Sequence, residues 1–234
     1  MTIPGERRAQ VARATLESVS ALTPQQAGQL YDRVGRAQDW QAIYEDRAVR
    51  KLTANAEMSS ARAVFELGCG TGRLARRLLT QDVPNSCRYV GVDVSPRMVQ
   101  LTRRRLEPWS QRAAATPVDG SLPLPGPDNS VDRFLSVFVF DLLRDDDARA
   151  VLAEARRLLS PDGLLCLASL TPGSSGAPAL VSRAWTALWQ RAPKVVGGCR
   201  PVHLLGLLGG EWDVSHRSIV PAIGLRIEIV VAAP

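Results

Sequence analysis

Apolar residues follow two different patterns along this chain. From about residue 6 to residue 59, single apolar positions such as Val11, Leu16 and Val19 are separated by polar residues at helical spacing. From Ala61 onward, short apolar runs alternate with amphipathic stretches. The first pattern predicts a helical N-terminal extension, and the second predicts strands that alternate with helices.

The alternating part predicts five strands connected through helices. Strands joined by helices of this length pair in parallel through right-handed crossovers, which is the doubly wound α/β arrangement. The strand candidates are Ala63–Leu67, Arg88–Val92, Ala114–Val118, Arg133–Val139 and Leu164–Leu170, and the helix candidates are Arg73–Thr80, Pro96–Leu106 and Asp145–Leu159.

The last part of the chain departs from this alternation. Residues 182–198 predict a helix and a loop, and residues 200–210 predict a short helix. The segment from residue 211 onward predicts two strands that are separated by a few residues around Pro221 and Gly224. Strands joined so closely pair antiparallel, so we expect a mostly parallel sheet that ends in an antiparallel hairpin.

Three glycines in five residues follow the first predicted strand, in the stretch "ELGCGTGR". Ligands of open α/β sheets bind beyond the carboxyl ends of the strands, where a loop without β-carbons can approach them closely. The spacing is G-x-G-x-G, because Arg73 stands where a dinucleotide fingerprint has its third glycine, and no Lys-Ser/Thr pair follows. The loop predicts a binding site for a nucleotide-like cofactor. The alternative is that the glycines serve only a tight turn between strand and helix. The spacing disfavours an oxidoreductase.

This loop resembles the first motif of the class I S-adenosylmethionine-dependent methyltransferases, in which an acidic residue precedes G-x-G-x-G. The resemblance covers about residues 61–170 and is closest in type to the ubiquinone/menaquinone carbon methylases. It implies a Rossmann-like fold, S-adenosyl-L-methionine as cofactor and S-adenosyl-L-homocysteine as product. By the same resemblance, Glu66 places the methionine ammonium group, and the loop with Gly68, Cys69, Gly70 and Gly72 packs against the methionine and ribose.

Further cofactor contacts are expected after the second and third strands. Asp93 ends the second strand, where a carboxylate accepts hydrogen bonds from ribose hydroxyls, although it could also cap the next helix. Val94 and Met98 offer an apolar surface to an adenine ring. The resemblance implies that Asp119, next to Gly120, accepts from the adenine amine.

The fourth strand bears on the acceptor. The run Ser136-Val137-Phe138-Val139 stands where amino-methylating nucleic-acid enzymes have Asn or Asp before Pro-Pro-aromatic, and the Pro-Cys motif of pyrimidine carbon methylases is missing. Ser136 is expected at the cofactor and Phe138 at the acceptor. These features favour a small, apolar or aromatic metabolite and disfavour nucleic acid.

Other acceptor-side residues are predicted individually. Asp141 could orient or deprotonate an acceptor, or cap a helix. His203 in "GGCRPVHLL" is a second catalytic candidate, and Arg200 in the same stretch is a candidate for binding the acceptor. Aromatic residues of the N-terminal extension could form a lid or belong to the core. They are Tyr31, Trp40 and Tyr44.

Trp185 and Trp189 lie four residues apart among the basic residues Arg183, Arg191 and Lys194. They could rest at a membrane interface, or pack on the sheet as the roof of an apolar acceptor pocket, which we favour. Two alternatives to the small-molecule enzyme therefore stay open. One is a phospholipid or quinone methyltransferase at a membrane surface, and the other is a non-catalytic S-adenosylmethionine-binding regulatory protein.

Composition adds constraints on compartment and partners. The net charge of +6 rests almost wholly on arginine, and the run 103–105 falls on a predicted helix, where it indicates a solvated face. The cysteines Cys69, Cys87, Cys166 and Cys199 are scattered singly, so neither a disulfide framework nor a metal site is expected. Since no signal-like or membrane-spanning run is evident, we expect a cytoplasmic protein.

The patterns also predict a division of the chain. We expect residues 1–60 to form a helical extension or lid and residues 61–234 to form the methyltransferase domain, in which residues 171–211 are a helical acceptor-side segment.

Overall fold

Seven strands form one mixed sheet in the order β3-β2-β1-β4-β5-β7-β6. The computed structural model of the chain describes residues 23, 26, 28–29, 42–173, 176–192, 198–222 and 225–234, and the side chains of residues 42–45, 177–178, 222 and 225 lie outside that description. The strands are β1 (Ala63–Leu67), β2 (Arg88–Asp93), β3 (Ala113–Pro117), β4 (Val131–Val137), β5 (Leu159–Thr171), β6 (Asp213–Ala222) and β7 (Leu225–Ala233).

Six α-helices flank or precede these strands in the described part of the chain. The predicted N-terminal helical pattern is represented there mainly by its last helix, and residues 1–22 and 30–41 lie outside the described residues. The helices are α1 (Ala42–Asn55), α2 (Arg73–Arg77), α3 (Pro96–Arg105), α4 (Asp145–Leu158), α5 (Gly176–Arg191) and α6 (Leu204–Leu208).

The strand order confirms the predicted fold class. β1 lies between β2 and β4 and is parallel to both, and β5 is parallel to β4. β7 pairs antiparallel with β5 and with β6, which is the predicted C-terminal hairpin. Because the order reverses between β1 and β4, the carboxyl ends of these two strands flank the switch point at which ligands of open α/β sheets bind.

Alternating strand residues supply cores on both faces of the sheet. Val64 and Leu135 belong to the cluster that packs against α1, whereas their neighbours Phe65 and Phe134 belong to the cluster under α4 and α6. The rings of Phe65 and Phe134 stack with centroids 5.3 Å apart. Both faces of β1 and β4 are therefore buried, which holds their carboxyl ends in place beneath the switch point.

Several boundaries differ from the sequence prediction, and two of them affect the site. β4 ends at Val137 rather than Val139 because Phe138 adopts φ of +57°, a left-handed conformation that a strand does not continue through. The helix predicted for residues 73–80 is α-helical only to Arg77 and continues as a π-turn over Leu78–Asp82. The chain consequently turns sharply just after β4, and the next residues can reach the switch point.

Arg133 on β4 clasps the end of the N-terminal extension. Its guanidinium is 4% exposed and donates to the carbonyl oxygens of Ala56 at 2.6 Å and Glu57 at 2.9 Å and to the hydroxyl of Ser60 at 2.9 Å. Carbonyl groups after a helix end lack helical partners, and a cation there is favourable. The segment that follows α1 is thereby fixed to the sheet.

Candidate cofactor and acceptor site

The glycine loop follows β1 and has left-handed backbone at three positions. φ is +77° at Gly68, +52° at Gly70 and +76° at Gly72, a region that residues with a β-carbon rarely adopt. The N–H groups of Gly68 and Cys69 donate to the carbonyl of Val92 at 2.8 and 3.0 Å. The end of β2 therefore fixes the conformation of the loop.

The three glycines have different neighbours. A β-carbon at Gly68 would lie 2.3 Å from Cγ2 of Val139, and one at Gly72 would lie 2.9 Å from Thr102. A β-carbon at Gly70 would meet no atom of the described residues within 4 Å. Packing within the protein thus accounts for the outer two glycines, and Gly70 faces open space where a ligand can approach the backbone.

Asp93 holds the loop from the end of β2. Its Oδ2 accepts from the N–H of Gly70 at 2.8 Å, and its Oδ1 accepts from the N–H of Ser95 at 2.9 Å. Ser95 is the N-cap of α3, since its hydroxyl accepts from the N–H of Met98 and Pro96 follows. The alternative that Asp93 serves as the cap is therefore wrong, and its carboxylate instead organises the loop around Gly70.

Glu66 lies beneath the loop and is 2% exposed. Its Oε2 accepts a hydrogen bond of 2.5 Å from the hydroxyl of Tyr89, which is also buried. The pKa of Glu66 is raised to about 7. Burial is the largest cause, the hydrogen bond from Tyr89 opposes it, and the negative charge of Asp93 adds to it. Sequence reasoning missed Tyr89, because an aromatic residue in an apolar run reads as core.

The third predicted acidic residue lies beside Asp93. The N–H of Val118 donates to the carbonyl of Asp93 at 3.0 Å, which brings the end of β3 to the same edge of the sheet. Asp119 is exposed, and its Oδ1 accepts from the N–H of Ser121 at 2.9 Å and from its hydroxyl at 2.5 Å. These two bonds lower the pKa of Asp119, and Gly120 completes the turn with φ of +84°.

A helical segment before α1 touches this edge. Thr23 and Gln26 exchange side-chain hydrogen bonds in the manner of a capping box, so a helix begins here. A β-carbon at Gly28 would lie 3.0 Å from the carbonyl oxygen of Val94, which is half-buried. Met98 is buried in the same region. Part of the N-terminal extension therefore lies against the loop after β2.

The acceptor side lies at the carboxyl ends of β4 and β5 and contains buried polar groups of another kind. The hydroxyls of Ser136 and Ser169 and both carboxylate oxygens of Asp141 are buried, and they make no hydrogen bond to any described residue. Burial raises the pKa of Asp141 to about 7, against smaller opposing effects of the N–H groups of Asp141 and Leu170, of Arg200 and of the Ser169 hydroxyl. A buried carboxyl with so few polar contacts is costly, which makes this position a candidate for function.

Arg200 braces the loop that passes Asp141. Its N–H donates to the carbonyl of Asp141 at 2.8 Å, and its guanidinium donates to the carbonyl of Leu143 at 2.7 Å and to Asp145 at 2.5 Å. His203 lies three residues further on, exposed at the start of α6. The structure therefore brings Arg200 next to Asp141 and leaves the imidazole of His203 at the surface.

Both tryptophans of α5 face the protein. The indole N–H of Trp185 donates to the carbonyl of Cys199 at 2.9 Å, and that of Trp189 donates to the carbonyl of Gly198 at 2.8 Å. Trp189 is buried and Trp185 half-buried. Both indole groups are thus bonded to backbone on the inner side of the helix, and their place in the roof of an apolar acceptor pocket stays a prediction.

Residues 64–163 match the family described as Methyltransferase domain. A demethylmenaquinone methyltransferase of Thermus thermophilus is 31% identical over 135 residues, which are 58% of this chain and 58% of that protein. Residues 64–163 are thus similar to class I S-adenosylmethionine-dependent methyltransferase domains. Another relative is the tRNA N(3)-methylcytidine methyltransferase Mettl2 of Drosophila melanogaster, 29% identical over 49% of this chain and 36% of its own length. The chain thus spans only about a third to three fifths of these curated relatives.

Solved structures share the fold of this chain. The 4+2 cyclase SpnF superposes with a TM-score of 0.68 at 19% identity, covering 91% of this chain and 97% of SpnF. The N-methyltransferase NodS of Bradyrhizobium japonicum WM9 superposes with a TM-score of 0.62 at 15% identity, over 82% and 96% of the two chains. NodS has also been solved with S-adenosyl-L-homocysteine. Identities this low show a common fold and do not fix the chemistry.

Four further aromatic residues were predicted on the acceptor side, and one of them has a described side chain. Phe138 is half-buried, and its N–H donates to the carbonyl of Ala168 at 2.8 Å. Tyr31 and Trp40 lie outside the described residues, and of Tyr44 only the helical backbone is described. The aromatic lid stays a prediction.

The described residues contain no cluster of three or more His, Cys, Asp or Glu side chains suited to a metal ion. Among the described helices, none combines the length and the apolar character that crossing a bilayer requires. None of the four cysteines forms a disulfide with a described residue.

Proposed function

We propose that this protein transfers a methyl group from S-adenosylmethionine to a small, apolar or aromatic molecule. The observation that carries the proposal is the open side of Gly70, a left-handed residue at the switch point between the buried carboxylates of Glu66 and Asp93. A cofactor with an ammonium group and two ribose hydroxyls, but no pyrophosphate, fits such a site. When bound, it supplies an electrophilic methyl group.

Each acidic residue has one role in this proposal. Asp93 accepts hydrogen bonds from the ribose hydroxyls beside Gly70, and Glu66 faces the ammonium group. Asp119 accepts from the adenine amine at the exposed end of the site, while Val94 and Met98 border the ring. Cys69, Gly120 and Ser136 belong to the surrounding wall.

Asp141 is the proposed proton acceptor on the other side of the switch point. A carboxyl with a pKa near 7 matches a general base that works at neutral pH. An acceptor hydroxyl would give its proton to Asp141 as its oxygen attacks the methyl carbon in line with the departing sulfur. Phe138, Arg200 and the aromatic residues of the extension are proposed to shape the acceptor pocket, and His203 is the second candidate base.

The first test is calorimetric titration of the full chain with S-adenosylmethionine and, separately, with NADH. Micromolar binding of S-adenosylmethionine alone supports the cofactor site, and binding of NADH alone contradicts it. Transfer of label from methyl-tritiated S-adenosylmethionine is then measured with catechol, with a reduced short-chain demethylmenaquinone and with unmodified tRNA. Label in tRNA alone would contradict the small-molecule acceptor, and cofactor binding without any transfer would favour the regulatory alternative.

A membrane-borne quinone is the second candidate acceptor, and the outer face of α5 favours it. Leu180 is 66% exposed and Leu188 is 41% exposed, and Arg183 and Arg191 are exposed on the same helix, which has no acidic residue. An apolar stripe with flanking arginines suits an anionic lipid surface. Sedimentation with vesicles of phosphatidylcholine and phosphatidylglycerol tests it. Binding that Leu180→Ser/Leu188→Ser abolishes and Leu205→Ser on α6 retains would support this candidate.

A further inference from the structure

Tyr89 is a buried polar residue for which the proposed cofactor contacts have no direct use. It lies near the start of β2 with its whole side chain inside the protein. Its hydroxyl reaches across to β1 and donates to Oε2 of Glu66 at 2.5 Å, a length typical of a hydroxyl bound to an ionised carboxylate. This bond joins the two strands immediately beneath the glycine loop.

The space around this bond is made by a fourth glycine. A β-carbon at Gly91 would lie 2.6 Å from the hydroxyl oxygen of Tyr89 and 2.7 Å from the β-carbon of Cys69. A side chain at position 91 would therefore displace either the tyrosine hydroxyl or the glycine loop. The sequence "YVGVD" thus encodes a place for the hydroxyl as well as the loop-binding Asp93.

The surroundings of Glu66 oppose its charge except at Tyr89. Burial disfavours the carboxylate, and so does the neighbouring negative charge of Asp93. The thiol of Cys69 also lies close enough to couple to Glu66, and its own pKa is raised by burial and by both carboxylates. Among these neighbours, the Tyr89 hydroxyl is the group that favours the ionised form. The Tyr89 hydroxyl is hydrogen-bonded to Oε2 of Glu66, so Oε1 is the oxygen left to interact with a cation.

We propose that Tyr89 is a positioning residue for the cofactor's amino-acid end, because its hydroxyl holds Oε2 of Glu66 and leaves Oε1 for the ammonium group. The inference rests on the proposed function, since it concerns the same cofactor site. Tyr89 does not touch the cofactor. Its contribution is specific for ligands that carry the ammonium group.

The test compares two ligands on the full chain. S-adenosylhomocysteine carries the amino-acid end, and 5′-methylthioadenosine lacks it while keeping the adenine and ribose. In Tyr89→Phe we expect the Kd for S-adenosylhomocysteine to rise about tenfold or more at pH 7, the usual loss when a hydrogen bond to a charged group is removed. The Kd for 5′-methylthioadenosine should stay within about twofold of the parent value, since ribose and adenine contacts are untouched.

A pH series gives a second readout that a purely structural role would not produce. Without the hydroxyl, the pKa of Glu66 rises further, so the affinity of Tyr89→Phe for S-adenosylhomocysteine should recover as the pH is raised from 7 to 8.5. Glu66→Gln should lose affinity at every pH and show little dependence in this range. Thr102→Val is the matched control, because it removes another buried hydroxyl that donates to the loop, at Gly70, without facing Glu66.

The outcomes separate the inference from the proposed function. If the parent protein binds neither ligand, the proposed function fails and the inference fails with it. If the parent binds both and Tyr89→Phe changes both Kd values equally, or neither, the positioning role is overturned and the cofactor site stands. Should Tyr89→Phe not fold, Tyr89→Leu removes the same hydroxyl and must show the same selective loss.

Discussion

The two sides of the switch point are built in opposite ways. On the β1–β2 side, the carboxylates of Glu66 and Asp93 accept hydrogen bonds from Tyr89, Gly70 and Ser95. On the β4–β5 side, Asp141 and the hydroxyls of Ser136 and Ser169 are buried without a hydrogen bond to any described residue. A side whose polar groups are already held is organised before its ligand arrives, whereas the other side leaves its polar groups for a ligand to satisfy.

This contrast agrees with the roles proposed for the two sides. Under the proposed function, the cofactor meets a receptor that is already hydrogen-bonded. Recognition of the acceptor then falls to groups whose partners come from outside.

The largest effect is expected from the glycine loop itself. Gly68→Ala should lower the free energy of unfolding by about 2–4 kcal/mol, because the new methyl group overlaps Val139 and the backbone is left-handed. Gly70→Ala meets no atom and should lose only about 1 kcal/mol of stability from its left-handed φ. It should nevertheless bind S-adenosylmethionine much more weakly than Gly68→Ala does per folded molecule. Urea unfolding and calorimetry measure both quantities, and equal stability losses would refute the distinction between the glycines.

Asp93 should show the largest loss of cofactor affinity among the carboxylates. Asp93→Ala removes the acceptor for the Gly70 and Ser95 N–H groups and for the ribose, and binding should weaken by about 1–3 kcal/mol. Asp146→Asn on the exposed surface of α4 is the matched control. Parent-like affinity in Asp93→Ala would remove this residue from the site.

On the acceptor side, Asp141→Asn should separate stability from function. A carboxyl whose folded pKa is raised stabilises the fold only while protonated, so its contribution is present below its unfolded pKa near 4 and is lost as the pH rises toward 7. At pH 8 the free energy of unfolding of the asparagine variant should therefore exceed that of the parent by up to about 4 kcal/mol, which is the value of a shift of about three pKa units. This gain should shrink toward pH 5, while methyl transfer is lost at every pH. A variant less stable than the parent at pH 8 would show that Asp141 is a structural anchor.

The smallest pair of effects compares two serines. Ser95→Ala should cost about 1 kcal/mol of unfolding free energy, because it deletes the N-cap bond to Met98. Ser169→Ala removes a buried hydroxyl that interacts only weakly with the Asp141 carboxyl, so it should change the free energy of unfolding by less than about 1 kcal/mol. Thermal and urea unfolding measure both. A comparable cost at the two positions would mean that Ser169 is bonded in solution.

Local sequence signals predicted the framework well. β1 was predicted with its observed ends, and α3 begins at the predicted Pro96, because an apolar run and a proline after a polar cap are short-range features. The strand order and the register are set by contacts between distant segments, so only the general α/β arrangement could be expected. The carboxyl end of β4 was placed two residues late, since the left-handed Phe138 continues an apolar run.

The candidate site divided in the same way. Glu66, Asp93 and Asp119 could be predicted because each lies near the carboxyl end of a strand, in an order that resembles the motifs of the methyltransferase family. The partners of the loop could not: Val139 and Thr102 come from elsewhere in the chain and resemble ordinary core residues. Tyr89 and Ser169 escaped notice for the same reason, since burial of a hydroxyl beside a carboxyl is a property of three-dimensional packing.

The Arg133 clasp has a practical consequence for how the chain can be shortened. A protein starting at Ala61 would keep the buried guanidinium of Arg133. It would lose the carbonyls of Ala56 and Glu57 and the hydroxyl of Ser60, which accept hydrogen bonds from that guanidinium. The change in amino-acid pattern at Ala61 is therefore a poor place to cut. We expect a shortened form that keeps α1 to be purified in folded form, and one that starts at Ala61 to aggregate unless Arg133 is replaced as well.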